Sequence, residues 1–193
     1  MDPRQRQRLG WIVRFFALLL VLSAVLALAA CSKSPAVTED EGTTLVYGSG
    51  DYTRINPAMD EHGEINVLLF SGLTAHNGSN EVVAGLAESW EYDESACTYT
   101  FHLRDAKWSN GDAVTAADFV FGWHRAVDPA TASEYSYMLS DIGQVVNAAE
   151  IIAGEKPVTD LGVTAVDDKT LEVQLNVPVS YFLSLMYFPT FYP

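Results

Sequence analysis

Cysteine, basic side chains and the short motifs of catalysis are all scarce in this sequence, and each scarcity excludes something. Two cysteines in 193 residues, Cys31 and Cys97, cannot make a disulfide framework or a zinc cluster. Lys and Arg number 11 against 25 Asp and Glu, giving a net charge of −14. Such a body repels a phosphate backbone, so nucleic acid is not an expected partner. The four histidines, His62, His76, His102 and His124, show no i,i+4 pair and no short loop spacing suited to a metal. No G-x-S-x-G elbow, no G-x-x-x-x-G-K-[ST] loop and no G-x-G-x-x-G occurs; Gly48-Ser49-Gly50 has the wrong spacing. Carboxylate pairs such as Asp167-Asp168 belong to turns. No catalytic constellation and no cofactor site is expected.

What is present is an address. Arg4, Arg6, Arg8 and Arg14 precede an apolar run, residues 15–30, that stops at Cys31. A basic start, an apolar stretch and small residues before a cleavage point describe an export signal. At 16 residues the run falls short of the roughly 20 that span a bilayer. Once residues 1–30 are set aside, 7 basic residues face 24 acidic ones, so the exported body carries −17. Leu28-Ala29-Ala30-Cys31 resembles the bacterial lipoprotein signal, which implies lipid on Cys31 and a protein held at the outer face of a membrane. Cys97 is then expected to be a buried small hydrophobe. Residues 31–43 are small, polar and acidic, and read as a tether.

The folded part is expected from residue 44. Residues 44–49 read as a first strand and turn, and Pro57 turns Asn56 away from helical angles. Ile65, Leu68, Leu69 and Leu73 recur at helical spacing, predicting a helix over 64–73. Cys97, Tyr99, Phe101 and Leu103 alternate with polar residues, predicting a strand over 98–104 paired with one near 89–92. Thr115 and Asp118 open a helix whose buried face is Phe119, Trp123, Ala126 and Val127, and which Pro129 ends. Weaker helical patterns cover 133–139 and 144–153. Residues 163–166 and 171–175 read as a hairpin around Asp167-Asp168-Lys169. The apolar stretch 181–191 reads as uncovered aromatic surface, which suggests a fragment of a longer protein. Ten aromatic residues lie between Trp90 and Tyr137; most belong to the core, and two or three are expected near a ligand.

Taken together, residues 98–128 (TYTFHLRDAKWSNGDAVTAADFVFGWHRAVD) resemble the signature region of family 5 extracellular solute-binding proteins, the receptors of ABC importers. The likeness extends to Asn56-Pro57, Leu86-Ala87-Glu88-Ser89-Trp90, Ile151-Ile152-Ala153-Gly154 and Thr159-Asp160-Leu161-Gly162-Val163. It implies a mixed α/β fold, a type II periplasmic-binding-protein lobe of a clamshell, with the second lobe missing. The implied layout is lobe one from 44–75 and 160–193, with a small inserted domain at 76–159. It further implies an oligopeptide ligand, a membrane permease as partner, and backbone recognition at the edge after the first strand: Gly50, Asp51, Tyr52 and Thr53. Residues 54–86 resemble the dipeptide and nickel branch more than the oligopeptide branch, so that ligand class remains an alternative. An inactive truncated fragment is another. A tethered hydrolase lacks any nucleophile motif.

Overall fold

Alternation along residues 98–103 builds the centre of the molecule. The computed structural model describes residues 55–59 and 63–193. The expected strand at 44–49, Cys31, and residues Gly50 to Thr53 lie outside the described residues. Strand β4 (Thr98–Leu103) is central in a four-stranded antiparallel sheet of order β3-β4-β6-β5, with β3 at Ala87–Asp93, β5 at Val163–Ala165 and β6 at Thr170–Gln174. The register places Trp90, Phe101, Leu171 and Ala165 in one row across the sheet, and Tyr92, Tyr99, Val173 and Val163 in the next. Glu91, Thr100, Glu172 and Thr164 occupy the opposite face. A period of two thus separates core from solvent on every strand. Phe101, Leu171 and Val173 are fully buried, each burial stabilising the fold by about 1.5–3 kcal/mol.

Before the sheet come helix α1 (Gly63–Leu69) and a hairpin of β1 (Thr74–His76) and β2 (Val82–Ala84). α1 is shorter than its apolar spacing predicts. The Gly72 and Leu73 carbonyls accept from the N–H groups of Leu86, Gly85 and Ala87, which draws Leu73 into extended structure. Its side chain is fully buried, while Leu68 and Leu69 are exposed. The Thr74 hydroxyl donates to the Leu183 carbonyl at 2.7 Å, tying this hairpin to the last helix.

Helix α2 (Ala116–Val127) starts as its residues predict. The Asp118 carboxylate accepts from the Thr115 N–H at 2.7 Å and from its hydroxyl at 3.0 Å. An acid in the first turn also favours the positive end of the helix dipole. Ala116, Phe119, Trp123, Ala126 and Val127 are buried, and the helix stops before Asp128-Pro129. α2 packs against β5 and against a 3-10 turn at Pro189–Phe191. Between α2 and β5 the chain makes a π-helical turn (Met138–Ile142), helix α3 (Ala148–Ile152) and a 3-10 turn (Val158–Asp160). α3 begins later than the apolar pattern from 144 suggests because Gln144 and Asn147 adopt φ of +55° and +64°, which no helix accommodates.

Two expectations are corrected. Stretch 181–191 is largely covered: Phe182, Met186 and Phe191 are fully buried, helix α4 (Phe182–Leu185) carrying the first. Cys97 is half-buried rather than enclosed, because it sits at φ +49° in the β3–β4 turn.

Candidate functional site

A cleft of about 270 Å³ opens where the first described residues meet helix α2 and the C-terminal turn. One wall is Ile55, Asn56, Pro57 and Ala58. Its shape is set locally: the Asn56 side-chain oxygen accepts from the Ala58 N–H at 3.1 Å, and its carbonyl accepts from the Met59 N–H at 2.9 Å. Asn followed by Pro is the pairing such a turn favours, since proline fixes φ and asparagine closes the loop through its side chain. Ala58 is buried and anchors this wall, leaving Ile55 56% exposed.

The facing wall is the outer side of α2, with Phe121, Gly122 and Arg125, and the rest is Phe70, Thr190, Tyr192 and Pro193. The C-terminal turn is held there by the inner side of the same helix. The Trp123 indole N–H donates to the Phe191 carbonyl at 2.9 Å, and the two rings meet edge-on with centroids 5.3 Å apart. Residue 122 must be glycine for this packing, because a Cβ there would lie 2.6 Å from the Tyr192 carbonyl oxygen. The Tyr192 hydroxyl donates to the Tyr187 carbonyl at 2.7 Å. Burial, helped by Tyr187, pushes the Tyr192 phenol well above its ordinary value, so it stays protonated and remains a donor.

The cleft is largely apolar, and besides Asn56 its lining includes the polar side chains of Arg125 and Thr190. Arg125 sits 6.0 Å from the centroid of the Phe121 ring, at the limit of a cation–π contact. It has no ion pair among the described residues, although the chain as a whole is strongly acidic. Thr190 is 2% exposed, and its hydroxyl has no hydrogen-bond partner among the described residues. Such a lining can hold a partner by apolar contact and charge. Among the described residues no three His, Cys, Asp or Glu side chains converge. His102 lies on the polar sheet face, 4.0 Å from Glu91. His124 is half-buried with its Nε2 unpartnered among the described residues, and burial lowers its basicity.

Gly50, Asp51, Tyr52 and Thr53 lie outside the described residues, as does Cys31, but they lead within a few residues into Ile55 and the cleft wall. Of the ten aromatic residues, Phe101, Phe119 and Trp123 are fully buried and only Phe121 lines the cleft, 65% exposed. Motif reading missed Phe121, Arg125 and Thr190. The first carried a signal: a phenylalanine on α2 that is out of phase with Phe119 and Trp123 must face away from the core.

Compared with known proteins, residues 81–193 match the family model of bacterial extracellular solute-binding proteins, family 5 (middle). The chain belongs to that family, whose members bind solutes. It is 44% identical over 184 residues to the periplasmic oligopeptide-binding protein OppA of Escherichia coli K12, an alignment covering 90% of this chain and 33% of that protein. It is 47% identical over 131 residues to the probable deoxycholate-binding periplasmic protein YgiS of the same organism, covering 67% and 24%. The crystal structure of Haemophilus influenzae OppA in complex with RPPGFSPFR is similar at a TM-score of 0.68 and 45% identity, over 71% of this chain and 27% of that one. The fold is therefore that of the type II periplasmic binding proteins, over the part covered. The chain spans about a third of the length of the curated relatives it matches. The alignment with the E. coli oligopeptide-binding protein takes in so much of the chain that it runs through residues 54–86.

Proposed function

We propose that the protein is the extracytoplasmic, lipid-anchored binding component of an ABC importer, which takes up oligopeptides and delivers them unchanged to a membrane permease. The observation that carries this reading is the 44% identity to an oligopeptide-binding protein across nine-tenths of the chain. Lipid on Cys31 would hold the protein at the membrane through the polar tether of residues 31–43. No helix among the described residues is long and apolar enough to cross a membrane.

Binding would proceed by closure of two lobes about a hinge. The peptide main chain would pair with the edge at Gly50, Asp51, Tyr52 and Thr53, because main-chain pairing is common to all peptides and tolerates varied side chains. The proposed layout is lobe one from residues 44–75 and 160–193, with a small inserted domain at 76–159.

The alternative is a dipeptide or nickel-type receptor of the same fold, and the likeness to a probable deoxycholate-binding protein makes a bile acid the appropriate control. Calorimetric titration of the full-length protein with di-, tri-, tetra- and pentapeptides and with deoxycholate tests the reading. Tightest binding among the tri- to pentapeptides supports it. Preference for dipeptides or for deoxycholate overturns the ligand assignment.

A further inference from the structure

Two Asn-Gly pairs lie in exposed turns, and their surroundings differ. Asn77-Gly78 opens the turn between β1 and β2, and Asn110-Gly111 lies in the loop closed by the bridge of Lys107 with Ala113. The Asn77 side chain organises its turn. Its Oδ1 accepts from the N–H groups of Ser79 and Glu81, both at 2.9 Å, and its Nδ2 donates to the Glu81 carboxylate at 2.8 Å. An ionised carboxylate only accepts, so the amide nitrogen must face Glu81 and the amide oxygen the two N–H groups. The bond from Ser79 folds the side chain back over the peptide link to Gly78, as in an Asx turn, and the Gly78 nitrogen lies within the ring so closed.

These groups resemble an acyl-transfer site in miniature. The Asn77 side-chain carbonyl has two main-chain donors on its oxygen, and such donors stabilise the oxyanion that forms on attack. The nucleophile is the nitrogen of the next residue, held close by covalent connection. Nothing lies within 4 Å of where a Cβ of residue 78 would stand, so the main chain there has room to shift. At the second pair, Asn110 Oδ1 accepts, among the described residues, from the Asp112 N–H alone, at 3.0 Å. The Gly111 N–H donates to the Trp108 carbonyl at 2.9 Å, which holds that nitrogen back from attack.

We propose that Asn77 is a site of self-modification, at which the folded turn promotes attack of the Gly78 nitrogen on Asn77 Cγ. The N–Cγ bond forms and the Cγ–Nδ2 bond breaks. The Gly78 proton passes to a base in the solvent, and Nδ2 takes a proton from the solvent and leaves as ammonia. Water then opens the cyclic imide at either carbonyl, giving aspartate or its β-linked isomer, with no change in oxidation state. The new carboxylate faces Glu81, and the β-linked product adds a carbon to the main chain of a hairpin whose register is Ala75 opposite Val83 and His76 opposite Val82. Modification therefore loosens the hairpin that Thr74 ties to Leu183. The proposal does not depend on the ligand assignment.

The test incubates the full-length protein in mildly alkaline buffer, native and in urea, and follows both Asn-Gly pairs by peptide mapping with mass spectrometry. An isoaspartate-specific carboxyl methyltransferase scores the β-linked product. In the native protein Asn77 should convert about tenfold or more faster than Asn110, the order of effect expected of an added oxyanion donor. In urea the two rates should converge. Gly78→Ala, which the open turn accommodates, should slow conversion of Asn77 in the folded protein by about tenfold, because a side chain on the attacking residue hinders closure of the imide. Equal native rates, faster conversion at Asn110, a ratio that persists in urea, or undiminished conversion in Gly78→Ala would overturn the proposal.

Discussion

The indole N–H of Trp123 donates a 2.9 Å hydrogen bond to the main-chain carbonyl of Phe191, joining two buried residues 68 positions apart. This contact fixes the C-terminal turn against helix α2 and so sets the depth of the cleft. Trp123→Phe keeps most of the apolar volume but leaves the Phe191 carbonyl without its donor. Urea denaturation should show a loss of about 1–3 kcal/mol. An unchanged midpoint would mean that the turn is held by something else.

Gly122 makes the second half of that argument. Alanine there would place a Cβ 2.6 Å from the Tyr192 carbonyl, and main chain yields poorly on both sides. Gly122→Ala should destabilise by about 1–3 kcal/mol and alter Trp123 fluorescence. Gly78→Ala, whose added Cβ meets nothing within 4 Å, should be near neutral in the same assay.

Acid should loosen the two turns that flank the sheet. Asp93 is held below its ordinary value of 3.8 by the Ser95 hydroxyl and then by the N–H groups of Ala96 and Ser95. Asp167 is held below the same value chiefly by the Lys169 N–H, with burial opposing and the Thr170 hydroxyl assisting. Both folded values are depressed, so their contribution is present above pH 3.8 and is lost as pH falls through the folded values. Asp93→Asn with Asp167→Asn should therefore flatten the decline of thermal stability below about pH 4 relative to the parent. Parallel curves would contradict the assignment.

Two predictions concern residues outside the described part. Tyr52→Pro removes a main-chain donor from the proposed peptide edge and should weaken peptide binding by the full-length protein about fivefold to tenfold, equivalent to one hydrogen bond. Equal affinity would move the edge elsewhere. Cys31→Ser should shift the protein from the membrane fraction to the soluble exported fraction and abolish metabolic labelling with a fatty acid. Retention at the membrane would point to an uncleaved anchor.

Much of the fold was legible in the sequence because the period of two in residues 98–103 and the helical spacing of Phe119, Trp123, Ala126 and Val127 each bury one face against the other. Asp118 and Pro129 bounded the helix through local chemistry alone. The elements misjudged were those in which long-range pairing overrode spacing. Leu73 fits a helical stripe but is claimed by residues 85–87, and the stretch at 181–191 looks exposed until Trp123 and α2 are placed upon it. The cleft was the least legible feature. Arg125 and Thr190 belong to no motif, and only the fold brings them to one opening.

The central claim is that this family member grips a peptide without transforming it. The most direct measurement titrates the full-length protein with a defined tetrapeptide in a calorimeter, then recovers the ligand after denaturation and weighs it by mass spectrometry. Saturable heat with one intact peptide recovered per protein is the expected result. No heat, or recovery of cleaved or altered peptide, would contradict the account.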